Sequence, residues 1–329
     1  MKSIDLYSLP GVFWGVHSLE STAEGIVPRR LPKEAVDFCT QLEPIKGLRA
    51  RGCAGVRLRL QTSTRHVTIK VNILSYNDDV IKNCSIALKD SSGNLSIRSA
   101  GENAASAVMS WELPENNREI TFYLPWQCEL AIEDLQIDDN ADVQPLNKLP
   151  RFQLIGDSIT EGMYAETPEK SYANILGDML GMEVLNSGVG GLKMEPEFVR
   201  SVCDDSADMT LLAFGVNDAS LQKEPQQFEA DCINAFALLA NQCRSKLYVV
   251  TPLVWPGEEP DSKYPLTLYR EIIRCSAKQF PKITVIEGEE LLSNAPENFF
   301  DSVHPNSNGM KQLAGVLAGM LGKKKLAYE

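Results

Sequence analysis

The stretch RFQLIGDSIT, from Arg151 to Thr160, decides the fold of the C-terminal half of this chain. Phe152 to Ile155 form a short apolar run, which is typical of a strand buried on both faces of a parallel sheet. A glycine and two polar residues follow directly, so we expect the strand to end in a turn that presents Asp157 and Ser158. In open parallel sheets, ligands bind beyond the carboxyl ends of the strands, which is where this turn falls.

Similar apolar runs recur along this half, at Met209 to Phe214, Leu247 to Val250 and Ile283 to Ile286. Helical patterns lie between the strands, and we expect further helices around residues 228–239 and 310–320. The clearest pattern runs from Tyr172 to Met179, with Ser171 as the predicted N-cap and Gly181 as the predicted stop. Alternating strands and helices predict a doubly wound α/β domain.

The N-terminal half has a different period, because apolar and polar side chains alternate between about residues 50 and 140. Val67, Ile69 and Val71, for example, are separated by polar residues, as in a strand with one buried face. The segment from Asp90 to Asn94 is predicted to form a hairpin turn between two such strands. We therefore expect an antiparallel β-sandwich, jelly-roll-like, over residues 1–147 and the α/β domain over residues 148–329.

Composition restricts the partners of this 329-residue chain. Its formal net charge of −12 disfavours nucleic acid and anionic membrane surfaces, both of which require a basic footprint. The basic run from Lys323 to Lys325 is short and is interpreted as a solvated helix end. Eight cysteines without a C-x-x-C motif predict free thiols and no zinc site, and with no apparent signal peptide they favour a cytoplasmic location.

Polar segments that follow the buried strands supply the groups needed for ester cleavage. Ser158 is the candidate nucleophile, and His304, the one histidine of this half, is the candidate general base. Asp301 lies three residues before His304, a spacing that allows its carboxylate to orient the imidazole. The backbone N–H of Ser158, the backbone N–H of Gly191 and the side-chain amide of Asn217 are the candidate oxyanion donors.

These segments resemble the conserved blocks of the SGNH (GDSL-like) hydrolase family. The four resembling stretches occur in the family's order and are Gly156 to Gly162, Asn186 to Gly191, Gly215 to Asp218, and Asp301 to His304. The resemblance implies a flavodoxin-like three-layer domain that works through an acyl-enzyme, with neither a metal nor another cofactor. Three glycines of the second block compete for the oxyanion role, and the distance from Asn186 favours Gly191.

The N-terminal half resembles the β-sandwich domains that precede some SGNH esterases, including carbohydrate deacetylases. The resemblance implies a serine esterase for short acyl groups, above all O-acetyl groups on a carbohydrate or another small molecule. Asp157 and Trp255 are candidate substrate-binding residues, with packing an equally good interpretation of Trp255. The alternatives are a lipase, lysophospholipase or thioesterase, or a non-catalytic carbohydrate-binding protein. A homo-oligomer is compatible with the sequence.

Overall fold

The computed structural model describes residues 1–77, 82–258 and 262–323, without the side chain of Lys323. The chain divides into two compact units, residues 1–148 with 167–169, and residues 149–166 with those after 169. Two features of the sequence, the basic residues Lys324 and Lys325 and the loop positions Glu259 and Pro260, lie outside the described residues. No helix in the described ranges is both long and apolar enough to span a membrane.

The N-terminal unit consists mainly of short strands. Their bounds are β1 Lys2–Ser3, β2 Phe13–Trp14, β3 Ser18–Thr22, β4 Gly25–Arg29, β5 Arg57–Thr62, β6 His66–Tyr76, β7 Ser85–Asp90, β8 Leu95–Ser99, β9 Ser106–Glu112, β10 Glu119–Tyr123, β11 Cys128–Ile137 and β12 Val143–Pro145. One sheet has the order β3-β4-β11-β6-β9 with β1 on β11, and the other has the order β12-β5-β10-β7-β8 with β2 on β5. The pairings within both sheets are antiparallel.

The alternating residues of the two sheets form one hydrophobic core. Val67 and Ile69 of β6 belong to the same buried cluster as Leu58 and Leu60 of β5 in the other sheet. The predicted antiparallel architecture is therefore confirmed, and its cause is the period of two that places every second side chain on the inner face.

The predicted hairpin is also present, between β7 and β8. The Asp90 carboxylate closes it by accepting the backbone N–H groups of Ser92 at 2.8 Å and Asn94 at 3.0 Å. Two helices of this unit, α1 Lys33–Leu42 and α2 Pro44–Arg51, have no counterpart in the sequence predictions. Ala35, Phe38, Cys39 and Leu42 of α1 recur at helical spacing, so its apolar stripe is present in the sequence and the prediction missed it.

The C-terminal unit is built on a five-stranded parallel sheet. Its strands are β13 Arg151–Gly156, β14 Glu183–Gly188, β15 Met209–Ala213, β16 Lys246–Val250 and β17 Ile283–Ile286. Its helices are α3 Ser158–Glu161, α4 Tyr172–Leu180, α5 Pro196–Val202, α6 Val216–Ser220, α7 Pro225–Gln242, α8 Leu266–Ala277 and α9 Ser307–Lys323. The order β14-β13-β15-β16-β17 is that of a flavodoxin-like sheet, which confirms the predicted α/β fold.

Local signals in the sequence explain the helix ends and the layers of this unit. The hydroxyl of Ser171 caps α4 by accepting the N–H of Asn174 at 3.3 Å, and Gly181 ends the helix with a φ of 61°. Helices α4 and α9 pack against each other, and α7 packs against α5 and α8. These two groups of helices are consistent with the burial of Thr210 to Leu212 in β15, since both faces of a doubly wound sheet are covered.

One prediction about the cysteines is wrong. Cys203 and Cys243 are bonded as a disulfide, whereas the sequence predicted free thiols throughout. Cys203 directly follows α5 and Cys243 directly follows α7, and these two helices pack together. The pairing depends on helix packing across 40 residues of sequence, so the spacing of the cysteines does not reveal it.

Candidate active site

The turn after β13 is shaped by a glycine that has no room for a side chain. A Cβ on Gly156 would lie 2.6 Å from the carbonyl oxygen of Ala213 in the neighbouring strand β15. The chain then passes into the single turn of α3, whose first residue is Ser158 and which ends at Gly162 with a φ of 93°. Strands β13 and β15 are neighbours at the point where the strand order reverses, so Ser158 emerges in the crevice where such sheets bind ligands.

Ser158, His304 and Asp301 form a continuous chain of hydrogen bonds. The Ser158 Oγ lies 3.0 Å from His304 Nε2, and His304 Nδ1 lies 2.8 Å from Asp301 Oδ2. A carboxylate can only accept, so the imidazole hydrogen lies on Nδ1 and Nε2 is left to accept the Ser158 hydroxyl proton. The structure thus brings together the three residues of the predicted triad, although Ser158 and His304 are 146 positions apart.

The Asp301 carboxylate also fixes the loop that carries His304. Its Oδ1 accepts the backbone N–H groups of Val303 at 2.8 Å and His304 at 2.7 Å. Partial burial acts to raise the pKa of Asp301, but these hydrogen bonds and the contact with the imidazole outweigh it and hold the pKa below its ordinary value. Asp301 is therefore ionised at neutral pH and able to stabilise a positive charge on His304.

One backbone donor in the segment from Gly188 to Gly191, at the end of β14, has no partner within the described ranges. The N–H of Gly188 donates to Asn186 Oδ1 at 2.8 Å, and the N–H of Gly190 donates to the buried Glu161 Oε2 at 2.7 Å. Within the described ranges, the N–H of Gly191 makes no hydrogen bond, and its φ of 79° suits glycine. Of the three competing glycines, Gly191 is thus the one whose N–H is available to a substrate oxygen.

Asn217 lies in the first turn of α6, directly after β15. One hydrogen of its amide nitrogen donates to the carbonyl oxygen of Leu192 at 2.9 Å, which leaves the second hydrogen for another acceptor. The loop that contains Leu192 is also held by Asp218, which is fully buried. The Asp218 Oδ2 accepts the N–H of Met194 at 3.0 Å. The Lys223 ammonium lies 3.1 Å from Asp218 and supplies the opposite charge. Asp218 therefore positions the segment between Gly191 and Met194.

Asp157 lies next to Ser158 but faces the interior. It is 3% exposed, and its Oδ1 caps α3 by accepting the N–H of Ile159 at 3.0 Å. Burial, together with the nearby Asp218 carboxylate, raises the pKa of Asp157 to about 7 against the opposing hydrogen bond from Ile159. Its part in substrate binding stays a prediction, and the structure gives it a capping contact.

Trp255 is buried and lines a cavity of about 450 Å³ with polar neighbours that include Gln222, Lys263 and Tyr264. The same loop donates the Gly257 N–H to the carbonyl oxygen of Ser302 at 2.8 Å, one residue after Asp301 in the chain. The cavity wall is thus attached to the loop of the hydrogen-bonded triad. The role of Trp255 in binding a substrate stays a prediction.

Two aromatic residues beside the triad were not predicted from the sequence to belong to the site. The rings of Tyr164 and Phe300 are stacked, with centroids 4.5 Å apart and planes 6° apart. The Tyr164 ring also contacts the imidazole of His304, at 4.8 Å between centroids. Phe300 immediately precedes Asp301, and Tyr164 lies six residues after Ser158. That proximity to the motifs is a local signal, but only the fold shows that the two rings meet.

Sequence comparison identifies the family of the C-terminal unit. Residues 154–312 match the GDSL-like lipase/acylhydrolase family, and this range includes Ser158, Gly191, Asn217 and the Asp301–His304 pair. The chain carries a GDSL-like lipase/acylhydrolase domain. Lipases and acylhydrolases cleave ester bonds, so the GDSL-like domain makes this chain an ester-bond hydrolase. No group of side chains in the described part of the chain is suited to hold a metal ion.

Several solved structures share the fold at low sequence identity. The salicylyl-acyltransferase SsfX3 from a tetracycline biosynthetic pathway has a TM-score of 0.79 at 17% identity, over 96% of this chain and 94% of that chain. A family two carbohydrate esterase from Clostridium thermocellum, in complex with cellohexaose, has a TM-score of 0.66 at 14% identity, over 84% and 94%. The acetyl xylan esterase Est2A from the rumen bacterium Butyrivibrio proteoclasticus has a TM-score of 0.61 at 13% identity, over 84% and 91%.

At these identities the structural likeness concerns the fold of the GDSL-like domain and of the β-sandwich unit, and it does not carry over a substrate. Among curated proteins, none matches this sequence.

Proposed function

We propose that this chain is a serine esterase that removes short acyl groups, above all O-acetyl groups, from a carbohydrate through an acyl-enzyme on Ser158. The observation that carries the proposal is the hydrogen-bond chain from the Ser158 hydroxyl through His304 to Asp301, with distances of 3.0 Å and 2.8 Å. A nucleophile, a base and a group that orients the base are the parts required for acyl transfer at a serine.

The first half of the reaction forms the acyl-enzyme. His304 Nε2 takes the hydroxyl proton while Ser158 Oγ forms a bond to the carbonyl carbon, and the carbonyl electron pair moves to its oxygen. The N–H groups of Ser158 and Gly191 and the free amide hydrogen of Asn217 stabilise that oxyanion. The oxyanion then collapses, the bond to the alcohol oxygen breaks, and the imidazolium of His304 gives its proton to the leaving alcohol.

The second half releases the acid. A water molecule gives a proton to His304 Nε2 and attacks the acyl carbon, and the same donors stabilise the second oxyanion. The bond to Ser158 Oγ breaks and the oxygen recovers the proton from the imidazolium. The ionised Asp301 stabilises the imidazolium in both halves, which is consistent with its lowered pKa.

The cavity beside Trp255 is joined to the triad loop through the Gly257–Ser302 hydrogen bond, and its polar lining suits a polar substrate. Its walls include Gln222, Glu258, Ser262 and Lys263, which can bond to hydroxyl groups of a sugar. The fold is shared with a family two carbohydrate esterase and an acetyl xylan esterase, and this likeness supports the acetyl group and the carbohydrate.

Active-site labelling tests the nucleophile directly. We expect a fluorophosphonate probe to label the wild-type protein and to leave Ser158→Ala unlabelled, because the probe reacts only with an activated serine. Ser201→Ala is the matched control, since the Ser201 hydroxyl bonds to the carbonyl oxygen of Phe198 within α5. An unlabelled wild-type protein, or equal labelling of Ser158→Ala, contradicts the proposal and favours a non-catalytic carbohydrate-binding protein.

Hydrolysis of esters of graded acyl length tests the acyl group. We expect kcat/KM to fall from acetyl to long-chain p-nitrophenyl esters, and acetylated xylose derivatives to be deacetylated. Rates that rise with chain length contradict the acetyl preference and favour a lipase. Adding a free alcohol acceptor distinguishes a hydrolase from an acyltransferase such as the one that shares this fold, because a transferase forms the new ester in place of the acid.

A further inference from the structure

Phe300 presents an exposed aromatic face beside the triad. Its side chain is large and apolar, yet the residue is 56% exposed. The parallel ring of Tyr164 covers one of its faces, with 4.5 Å between centroids, so the exposed surface lies on the opposite face and the edge. An exposed aromatic face at a reactive centre is a surface available to a ligand.

The backbone holds both rings in place relative to the reacting groups. The N–H of Phe300 donates to the carbonyl oxygen of His304 at 2.8 Å, so the ring is tied to the residue that carries the base. Tyr164 has a φ of 65°, a conformation that is strained for a bulky side chain. The segment around it is fixed by hydrogen bonds from Met163 N–H to Ser158 O at 3.0 Å and from Glu166 N–H to Ser307 Oγ at 3.1 Å.

The left-handed backbone at Tyr164 and the hydrogen bonds on either side of it fix where the ring lies. Tyr164 contacts both Phe300 and the imidazole of His304, and thereby places the exposed face at a fixed distance from the base.

The chemistry of the reaction identifies which part of the substrate meets this face. His304 gives its proton to the oxygen of the leaving alcohol, so the alcohol lies against the imidazole during the reaction. The acyl oxygen points instead to the donors at Gly191 and Asn217. The Tyr164 ring contacts this imidazole and Phe300 stacks on Tyr164, so both rings lie beside the base that the alcohol meets.

We propose that the exposed face of Phe300 is a stacking platform for a pyranose ring in the alcohol part of the ester. This inference rests on the proposed esterase function and adds where its sugar binds. A pyranose has a face of C–H groups and an edge of hydroxyl groups, so it packs its apolar face on an aromatic ring and keeps its edge in water. Phe300 has no polar atom in its side chain and offers only that face.

Steady-state kinetics on two acetyl esters tests the platform. We expect Phe300→Leu to raise KM about 2- to 10-fold for an acetylated methyl β-xylopyranoside, the range typical of one aromatic contact. Its KM for ethyl acetate, which has no ring to stack, should change far less. Phe300→Tyr keeps the flat aromatic face, so its KM for the xyloside should stay close to that of the wild type. The matched control is Met179→Ala, which removes an exposed apolar side chain of α4 and should change neither substrate.

A binding measurement separates the platform from the catalytic proposal. With Ser158→Ala protein, saturation-transfer NMR should detect methyl β-xylopyranoside, and adding Phe300→Leu should remove the signal from its C–H protons. Equal losses for both esters in Phe300→Leu, or an undiminished NMR signal, overturn the platform. Failure of the wild-type protein to hydrolyse either ester, with the NMR signal intact, overturns the acetylesterase proposal while the platform stands.

Discussion

Removing the amide of Asn217 tests the oxyanion site most directly, because the structure separates two roles of this side chain. One hydrogen of the amide donates to the carbonyl oxygen of Leu192 at 2.9 Å and holds the loop that contains Gly191. The other hydrogen is free to meet the oxyanion, which exists only in the transition state and the intermediate. Asn217→Ala removes both bonds, so it should lower both activity and stability by amounts that are measured independently.

The expected loss of activity is much larger than the expected loss of stability, so the two roles can be distinguished. Losing one oxyanion donor raises the barrier by about 2.7–4 kcal/mol, so kcat should fall about 10²- to 10³-fold. KM should change little, because the substrate carbonyl in the ground state gains little from this donor. The lost bond to Leu192 costs about 0.5–1.5 kcal/mol of the free energy of unfolding. For a unit of this size, that lowers Tm by about 1–6 °C.

Steady-state kinetics with p-nitrophenyl acetate and thermal unfolding followed by circular dichroism measure the two effects. Asn72→Ala is the matched control, since the Asn72 amide donates to the carbonyl oxygen of Glu24 at 2.8 Å in the N-terminal unit. It should lower Tm to a similar extent and leave kcat within about twofold of the wild type. If Asn217→Ala lowers Tm but leaves kcat unchanged, Asn217 is a loop support and the assignment as an oxyanion donor is wrong.

Two further predictions concern stability. The pKa of Asp157 is raised from 3.8 to about 7, so the folded protein retains a proton that the unfolded chain loses, and the stability from this group falls as pH rises across that interval. Asp157→Asn keeps the cap, so its Tm by calorimetry should fall less than that of the wild type between about pH 4 and pH 7, and parallel curves would contradict the shift. Gly315 lies within α9, where an added Cβ meets no atom within 4 Å. Gly315→Ala should raise the free energy of unfolding by about 0.4–1 kcal/mol and Tm by about 1–4 °C, and a lower Tm would show a clash that the structure does not contain.

Local patterns were sufficient to predict most of the secondary structure of the α/β unit. The apolar run at Phe152 to Ile155 predicts β13, and Ser171 and Gly181 mark the two ends of α4. Each signal works because the free energy involved, burial of a strand or capping of a helix, depends on residues that are close in sequence. The stripe of Ala35, Phe38, Cys39 and Leu42 in α1 is a local signal that the prediction missed, whereas α2 buries Lys46, Gly47 and Ala50 and has no such apolar stripe.

The triad shows which contacts a sequence motif can predict and which depend on the fold. Asp301 and His304 are three residues apart, so their contact is a property of one loop and follows from the sequence. Ser158 and His304 meet only because β13 and the segment before α9 end at the same edge of the sheet. The motif predicts which residues can react, and the topology of the sheet brings their atoms within 3.0 Å.

By itself, the sequence determined the two classes of architecture and the candidate nucleophile, base and orienting acid, because hydrophobic period and motif spacing are local. The tertiary structure decided which glycine N–H stays free, since Asn186 and Glu161 occupy those of Gly188 and Gly190. It also paired Cys203 with Cys243 and stacked Tyr164 on Phe300. Such pairings depend on how distant segments pack, and the free energy of packing is shared among contacts that no single stretch of sequence contains.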